Sequence, residues 1–143
     1  MIFNKLIKIV ANIAKYKVTQ WSANPIKTQQ KQFNYLMKVG SKTLFGREHN
    51  LFQGITYNEF KNRVPIRDYE QIKHYIERVK NGEENILWKG KPIYFAMTSG
   101  TTSGSKYIPI TKHSLKNHLN GAKNALLLYI AETNNTSFIE GKF

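Results

Sequence analysis

The stretch Ile93-Tyr94-Phe95-Ala96-Met97-Thr98-Ser99-Gly100-Thr101-Thr102-Ser103-Gly104-Ser105-Lys106-Tyr107-Ile108-Pro109-Ile110-Thr111 decides how this chain is read. β-branched and aromatic residues flank a run of hydroxyls and glycines, so the local expectation is strand, loop, strand. Glycine lets the backbone approach a ligand with positive φ, successive N–H groups can form an anion-binding nest, and hydroxyls add donors. With Lys106 supplying positive charge, the loop suits phosphate oxygens. By composition alone it equally describes a polar hairpin loop. It is not a Walker A loop, which has four residues between its glycines and Lys-Ser/Thr directly after the second. Here Gly100 and Gly104 enclose three residues, and Lys106 stands one place further on. The Rossmann Gly-x-Gly-x-x-Gly pattern is also absent.

Residue order is more specific than composition. Thr98-Ser99-Gly100-Thr101-Thr102 followed by Gly104 and Lys106, after an apolar strand, resembles the phosphate-binding loop of the adenylate-forming enzymes. The usual form in that superfamily has one residue fewer before the second glycine and a Pro-Lys-Gly ending. The ending here, Lys106-Tyr107-Ile108-Pro109, resembles instead that of the auxin-responsive acyl-acid amido synthetases of plants and their bacterial relatives. Upstream, Phe60 to Glu70, with Val64-Pro65 and Tyr69-Glu70, and Tyr75-Ile76-Glu77-Arg78 leading to Gly82-Glu83, are similar to a segment of the same family. The resemblance runs in order over about residues 28 to 115.

The resemblance implies an α/β fold: the N-terminal part of an adenylate-forming, acyl-CoA-synthetase-like domain. Its first half would be helical, followed by a β-loop-β phosphate-binding hairpin and a long helix, an incomplete fold by itself. Residues 1–143 would then be an N-terminal fragment of the large adenylation domain. Its parts would be a basic helical segment (1–47), a helical segment (48–92), and the phosphate-loop hairpin with its following helix (93–143). The implied activity is ATP-dependent adenylation of a carboxylic acid, followed by acyl transfer to an amine or amino acid. Nucleotide-binding residues by the same correspondence are Thr98, Ser99, Gly100, Thr101, Thr102, Ser103, Gly104 and Lys106, the hydroxyl residues among them carrying the contacts. ATP and Mg2+ are the implied cofactors; the metal-binding acid, the adenine and ribose contacts and the mobile C-terminal domain are expected beyond Phe143. The fragment alone is expected to be inactive, and no catalytic residue is assigned. Expected partners are a small carboxylic acid, an amine or amino acid, and the remainder of the polypeptide.

Composition bounds the alternatives. With 143 residues and 41% apolar content the chain can bury a core. The absence of cysteine excludes a disulfide framework and fits a reducing, cytoplasmic setting. Lys5 and Lys8 interrupt what would be a signal-peptide core, and no run approaches the roughly 18 apolar residues of a membrane span. The net charge of +13 is concentrated early, since residues 1–47 carry nine Lys/Arg and no Asp or Glu. Such an excess keeps two other readings open: a basic module binding nucleic acid or a membrane surface, and a non-catalytic nucleotide-binding remnant. Specific nucleic-acid binding is not expected, because solvated lysine faces explain the charge as well.

Periodicity gives the frame. Ile2, Leu6, Ile9, Val10 and Ile13 form an apolar stripe on a helix reaching about residue 16, expected to dock against the rest of the fold. Pro25 opens a second helix to about Val39, with Ile26, Gln30, Phe33, Leu36 and Met37 on one face and Gly40 ending it. Gly46 and residues 50–54 read as loop. Thr56 with Glu59 predicts a capping box for a helix over Tyr57–Asn62, and Asp68 caps another that carries Tyr69, Ile72, Ile76 and Val79 inward as far as Asn81-Gly82. Ile86-Leu87-Trp88 reads as a short edge strand. Thr111 caps a long helix with Leu115, Leu119, Ala122, Leu126, Tyr129 and Ile130 on one face, ending near Asn134-Asn135. His49, His74, His113 and His118 include no i,i+4 pair, so no metal site is expected.

Overall fold

The computed structural model describes residues 2–99 and 104–139. The chain divides into two units, residues 1–28 with 116–143, and residues 29–115. The described elements are mostly helical: α1 (Ile2–Ser22), α2 (Pro25–Gly40), α3 (Leu44–Glu48), α4 (Tyr57–Arg63), α5 (Tyr69–Lys80) and α6 (Lys112–Thr133). Strands β1 (Tyr94–Thr98) and β2 (Lys106–Ile110) form a two-stranded antiparallel sheet.

In the first unit α1 packs on α6. Ala11, Ala14, Leu127 and Ile130 are buried, joined by Ile7, Ala131 and Ile139. Residues 7, 11 and 14 share one helical face, and alanine lets helix backbones approach closely. This corrects the expected docking stripe: Leu6, Ile9, Val10 and Ile13 lie between 46% and 57% exposed. The α1 side chains that make the contact are mostly small ones, which hydrophobicity ranking passes over. On α6 the expected face is corrected in the same way. Ile130 is buried, whereas Leu119, Leu126 and Tyr129 remain about half exposed and Leu127 takes the inward position. Among the described residues no helix is long and apolar enough to cross a membrane.

The second unit is built around α3. Thr43, 1% exposed, caps this helix by accepting the Gly46 N–H at 3.0 Å, while its hydroxyl donates to the Gly40 carbonyl at 2.7 Å. The Leu44 and Phe45 N–H groups donate to the Asn85 and Ile86 carbonyls at 2.8 and 3.0 Å. Segment 85–88 is therefore not the expected edge strand. Two of its carbonyls are committed to the free donors of a helix N-terminus, and no strand pairs with it among the described residues. Gly46 stands inside α3 rather than in a loop.

Phe45 joins two cores. One holds Met37, Leu51 and Ile55 with Phe33, Leu36, Phe60 and Val64; the other holds Tyr75, Val79 and Ile86 with Leu44, Ile72, Leu87 and Phe95. The α4 and α5 starts follow the sequence. Thr56 and Glu59 cap reciprocally, as do Asp68 and Gln71, and Asn81 and Gly82 (φ +90) end α5. At Glu59 the accepted Thr56 backbone bond and hydroxyl hold the carboxyl below its ordinary range. Ile26, by contrast, is 77% exposed and takes no part in the α2 face.

The two glycines Gly46 and Gly121 provide a stability test. A Cβ at Gly46 would collide with the Gly40 carbonyl oxygen and come within 2.8 Å of Ser41 Cα, whereas one at Gly121, on exposed α6, meets nothing within 4 Å. Gly46→Ala is expected to destabilise the chain by about 2 kcal/mol or more through overpacking. Gly121→Ala should stabilise by about 0.5–1 kcal/mol. Denaturant unfolding of both variants checks this opposition of sign, and equal small shifts would contradict the α2–α3 contact.

Candidate functional site

The β1–β2 hairpin presents the hydroxyl-rich loop. Its register pairs Tyr94 with Ile110, Phe95 with Pro109, Ala96 with Ile108, Met97 with Tyr107 and Thr98 with Lys106. Thr98 and Lys106 are thus the last paired residues, and they form the neck from which the loop departs. Phe95 anchors β1 by packing into the Tyr75, Val79 and Ile86 core. Thr98, Ser99, Gly104 and Ser105 are exposed to solvent. Gly104 has φ +82, a conformation that strains any residue with a Cβ and that aims backbone N–H groups unlike a continuing strand. Gly100, Thr101, Thr102 and Ser103 lie outside the described residues.

Helix α5 fixes the neck. The Tyr107 N–H donates to the Tyr69 hydroxyl at 2.9 Å, so the first residue of α5 satisfies a β2 donor next to Lys106. Lys106 Nζ lies 5.7 Å from the centre of the Tyr69 ring, and Lys80 Nζ lies 4.2 Å from that of Tyr107. Each cation lies over an aromatic face, whose quadrupole attracts positive charge. At Lys80 the hydrogen bond to Glu77 raises the pKa, burial opposes this, and charge interactions with Glu77 and with the Tyr107 and Tyr69 phenol groups add to the rise. Lys80 is paired with Glu77 at 3.0 Å. Among the described residues Lys106 takes part in no ion pair.

A second tyrosine of α5, Tyr75, ties the helix to α3. The Tyr75 hydroxyl donates to Glu48 at 2.5 Å, and Phe45 meets the Tyr75 ring edge-on at 5.4 Å. Burial raises the Tyr75 pKa and the Glu48 carboxylate raises it further, partly opposed by Arg67, so the phenol stays protonated as a donor. At the end of α5 Arg78 clasps Glu83 through both carboxylate oxygens. The hairpin thus rests on a helix that is itself braced at both ends. His49 is a packed core residue: its ring stacks on Phe45 at 4.1 Å and Nδ1 lies 2.7 Å from the Phe45 carbonyl.

The sequence singled out Lys106 and the loop but gave no role to Tyr69 hydroxyl, Tyr107 N–H or Lys80. The available signal was the tyrosine directly after the Asp68 cap, whose polar tip has to find a partner when half-buried. Among the described residues no three His, Cys, Asp or Glu side chains gather into a set able to hold a metal ion.

Comparison with known proteins places this geometry in a family. The sequence model of the GH3 family N-terminal domain matches residues 14–142. Probable indole-3-acetic acid-amido synthetase GH3.13 of Oryza sativa subsp. japonica is 47% identical over 58 residues, 39% of this chain and 12% of that protein. Indole-3-acetic acid-amido synthetase GH3.4 of Arabidopsis thaliana is 28% identical over 90 residues, 62% of this chain and 15% of its own length. The 4-substituted benzoates-glutamate ligase GH3.12 of the same plant is 42% identical over 60 residues, 41% of this chain and 10% of its own length. The matched stretches thus span 10% to 15% of these relatives. The family match takes in the hairpin, its loop and the helices that brace it, and the chain belongs to the GH3 family through its N-terminal domain.

Proposed function

We propose that this chain supplies the phosphate-binding part of an acyl-acid amido synthetase of the adenylate-forming kind. The observation that carries the reading is the hairpin neck. A hydroxyl-and-glycine loop leaves the Thr98–Lys106 pair, re-enters through Gly104 at positive φ, and has the Lys106 ammonium held at its base by Tyr69. The relatives' names speak of joining indole-3-acetic acid or substituted benzoates to an amine-bearing partner. By analogy the substrates here are ATP, a carboxylic acid and an amine or amino acid.

In the proposed reaction the carboxylate oxygen attacks the α-phosphorus of ATP and the bond to the β-phosphate oxygen breaks, releasing pyrophosphate. The amine then attacks the acyl carbonyl, loses a proton, and AMP departs. The part of this chain is to hold the β- and γ-phosphates. Thr98, Ser99, Thr101, Thr102 and Ser103 supply hydroxyl donors, Gly100 and Gly104 allow close backbone approach, and Lys106 places positive charge where pyrophosphate charge develops. Fixed donors aimed at developing charge cost no reorganisation during the reaction, which is why a braced neck matters. Mg2+, when bound, would neutralise charge at the phosphates; among the described residues no three His, Cys, Asp or Glu side chains gather to hold it.

The test is carboxylate-dependent ATP–pyrophosphate exchange by the full polypeptide that carries this chain, assayed with a panel of aryl and aliphatic acids. Thr102→Ala and Lys106→Ala should each slow exchange, a lost donor to a developing anion costing about 3 kcal/mol or about a hundredfold. Folding of either variant should shift by no more than about 0.5 kcal/mol. Exchange at the unmutated rate by Thr102→Ala, Ser99→Ala and Gly104→Val would remove the loop from the phosphate site.

A further inference from the structure

We infer a second anion site, in residues 29–115 and built from different residues than the loop. Two clefts adjoin there and share Val39 and Lys89. The first, about 270 Å³, is lined by Tyr35, Trp88 and His113 together with Lys89, Lys91 and Lys112. The second, about 400 Å³, is lined by Lys38, Lys42 and Lys89 with Thr43 and Asn85. The first cleft is both aromatic and cationic, and the second is cationic without aromatic residues. The three rings support one another, Trp88 stacking on His113 at 5.6 Å and Tyr35 lying 5.3 Å from His113 and 6.5 Å from Trp88. They form a wall on which a flat ring can stack but leave no slot between them for one to enter.

Charge selects the ligand. No acidic side chain lines either cleft. Lys91 is paired with exposed Glu84 at 3.8 Å, while Lys38, Lys42, Lys89 and Lys112 take part in no ion pair among the described residues. Like charges gathered without a counter-charge raise the free energy of the unliganded surface and lower that of an anion bound between them. An aromatic wall continuous with a lysine-lined hollow matches a molecule that is flat at one end and multiply anionic at the other. That is a nucleoside polyphosphate, its base on Trp88 and its phosphates between Lys38, Lys42 and Lys89. This assignment goes beyond the phosphate-loop reading and does not depend on it, since no residue of the loop is involved.

The experiment reads Trp88 fluorescence in a Trp21→Phe background, which leaves Trp88 as the sole indole. Titration with ATP should quench Trp88, saturably, and equally in a further Lys106→Ala variant whose loop is impaired. Lys89→Glu, an exposed change that alters both clefts, should weaken the apparent affinity about tenfold with the circular dichroism spectrum unchanged. Inorganic tripolyphosphate should bind at least about fivefold more weakly, the factor expected from one lost base-stacking contact of about 1 kcal/mol. Any of three results would overturn the assignment: no saturable quenching by millimolar ATP, equal binding of ATP and tripolyphosphate, or loss of the Trp88 response in Lys106→Ala. A single-stranded oligonucleotide that binds more tightly than ATP, with a steep salt dependence, would reassign the cleft to a nucleic-acid strand and overturn it as well.

Discussion

The second unit depends on how the first turn of α3 finds its hydrogen-bond acceptors. A helix of five residues cannot sustain itself by propagation, because nucleation costs several fixed dihedrals for a single bond. Its donors are satisfied instead by Thr43 Oγ1 and by the carbonyls of Asn85 and Ile86, about forty positions along the chain. These bonds draw the segment after α5 against the end of α2. They place Phe45 between two apolar clusters and bring Ile86 under Tyr75 and Val79. Gly46 is then required by space, since the Gly40 carbonyl occupies the position of its Cβ.

From that hub the bracing passes to the hairpin through α5. Tyr75 faces α3 and Tyr69 faces β2, so one helix carries both attachments. A two-stranded hairpin is marginal alone in water and needs packing against another element. Phe95, packed against the core, and the Tyr69–Tyr107 bond supply that support. Thr98 and Lys106, the last paired residues, close the supported part of the hairpin.

Local signals were legible in the sequence where the stabilising partners are close in the chain. The Thr56–Glu59 capping box, the Asp68 cap, Gly82 at the end of α5 and Thr111 before α6 all act within a few residues, and each stands where spacing put it. Signals failed where a distant partner decides. Ile86-Leu87-Trp88 has strand composition, yet α3 claims the carbonyls of Asn85 and Ile86. The strongest apolar stripe of α1 stays exposed because the helix meets its partner through Ile7, Ala11 and Ala14. The same contrast holds at the site. Lys106 and the glycines were visible as chemistry, whereas the Tyr69 hydroxyl that fixes β2 beside them sits 38 positions away and became apparent only in three dimensions.

The central claim is that the loop leaving the Thr98–Lys106 neck receives the phosphates of ATP. Amide hydrogen exchange resolved over residues 98–107, with and without ATP and pyrophosphate, addresses it most directly. Engagement by phosphate oxygens makes the loop N–H groups donors in fixed bonds, so both ligands should slow exchange across residues 99–105, while the Tyr107 amide, already bonded to Tyr69, changes little. Unaltered exchange across residues 99–105 at saturating ATP, with slowing confined to other parts of the polypeptide, would contradict the account.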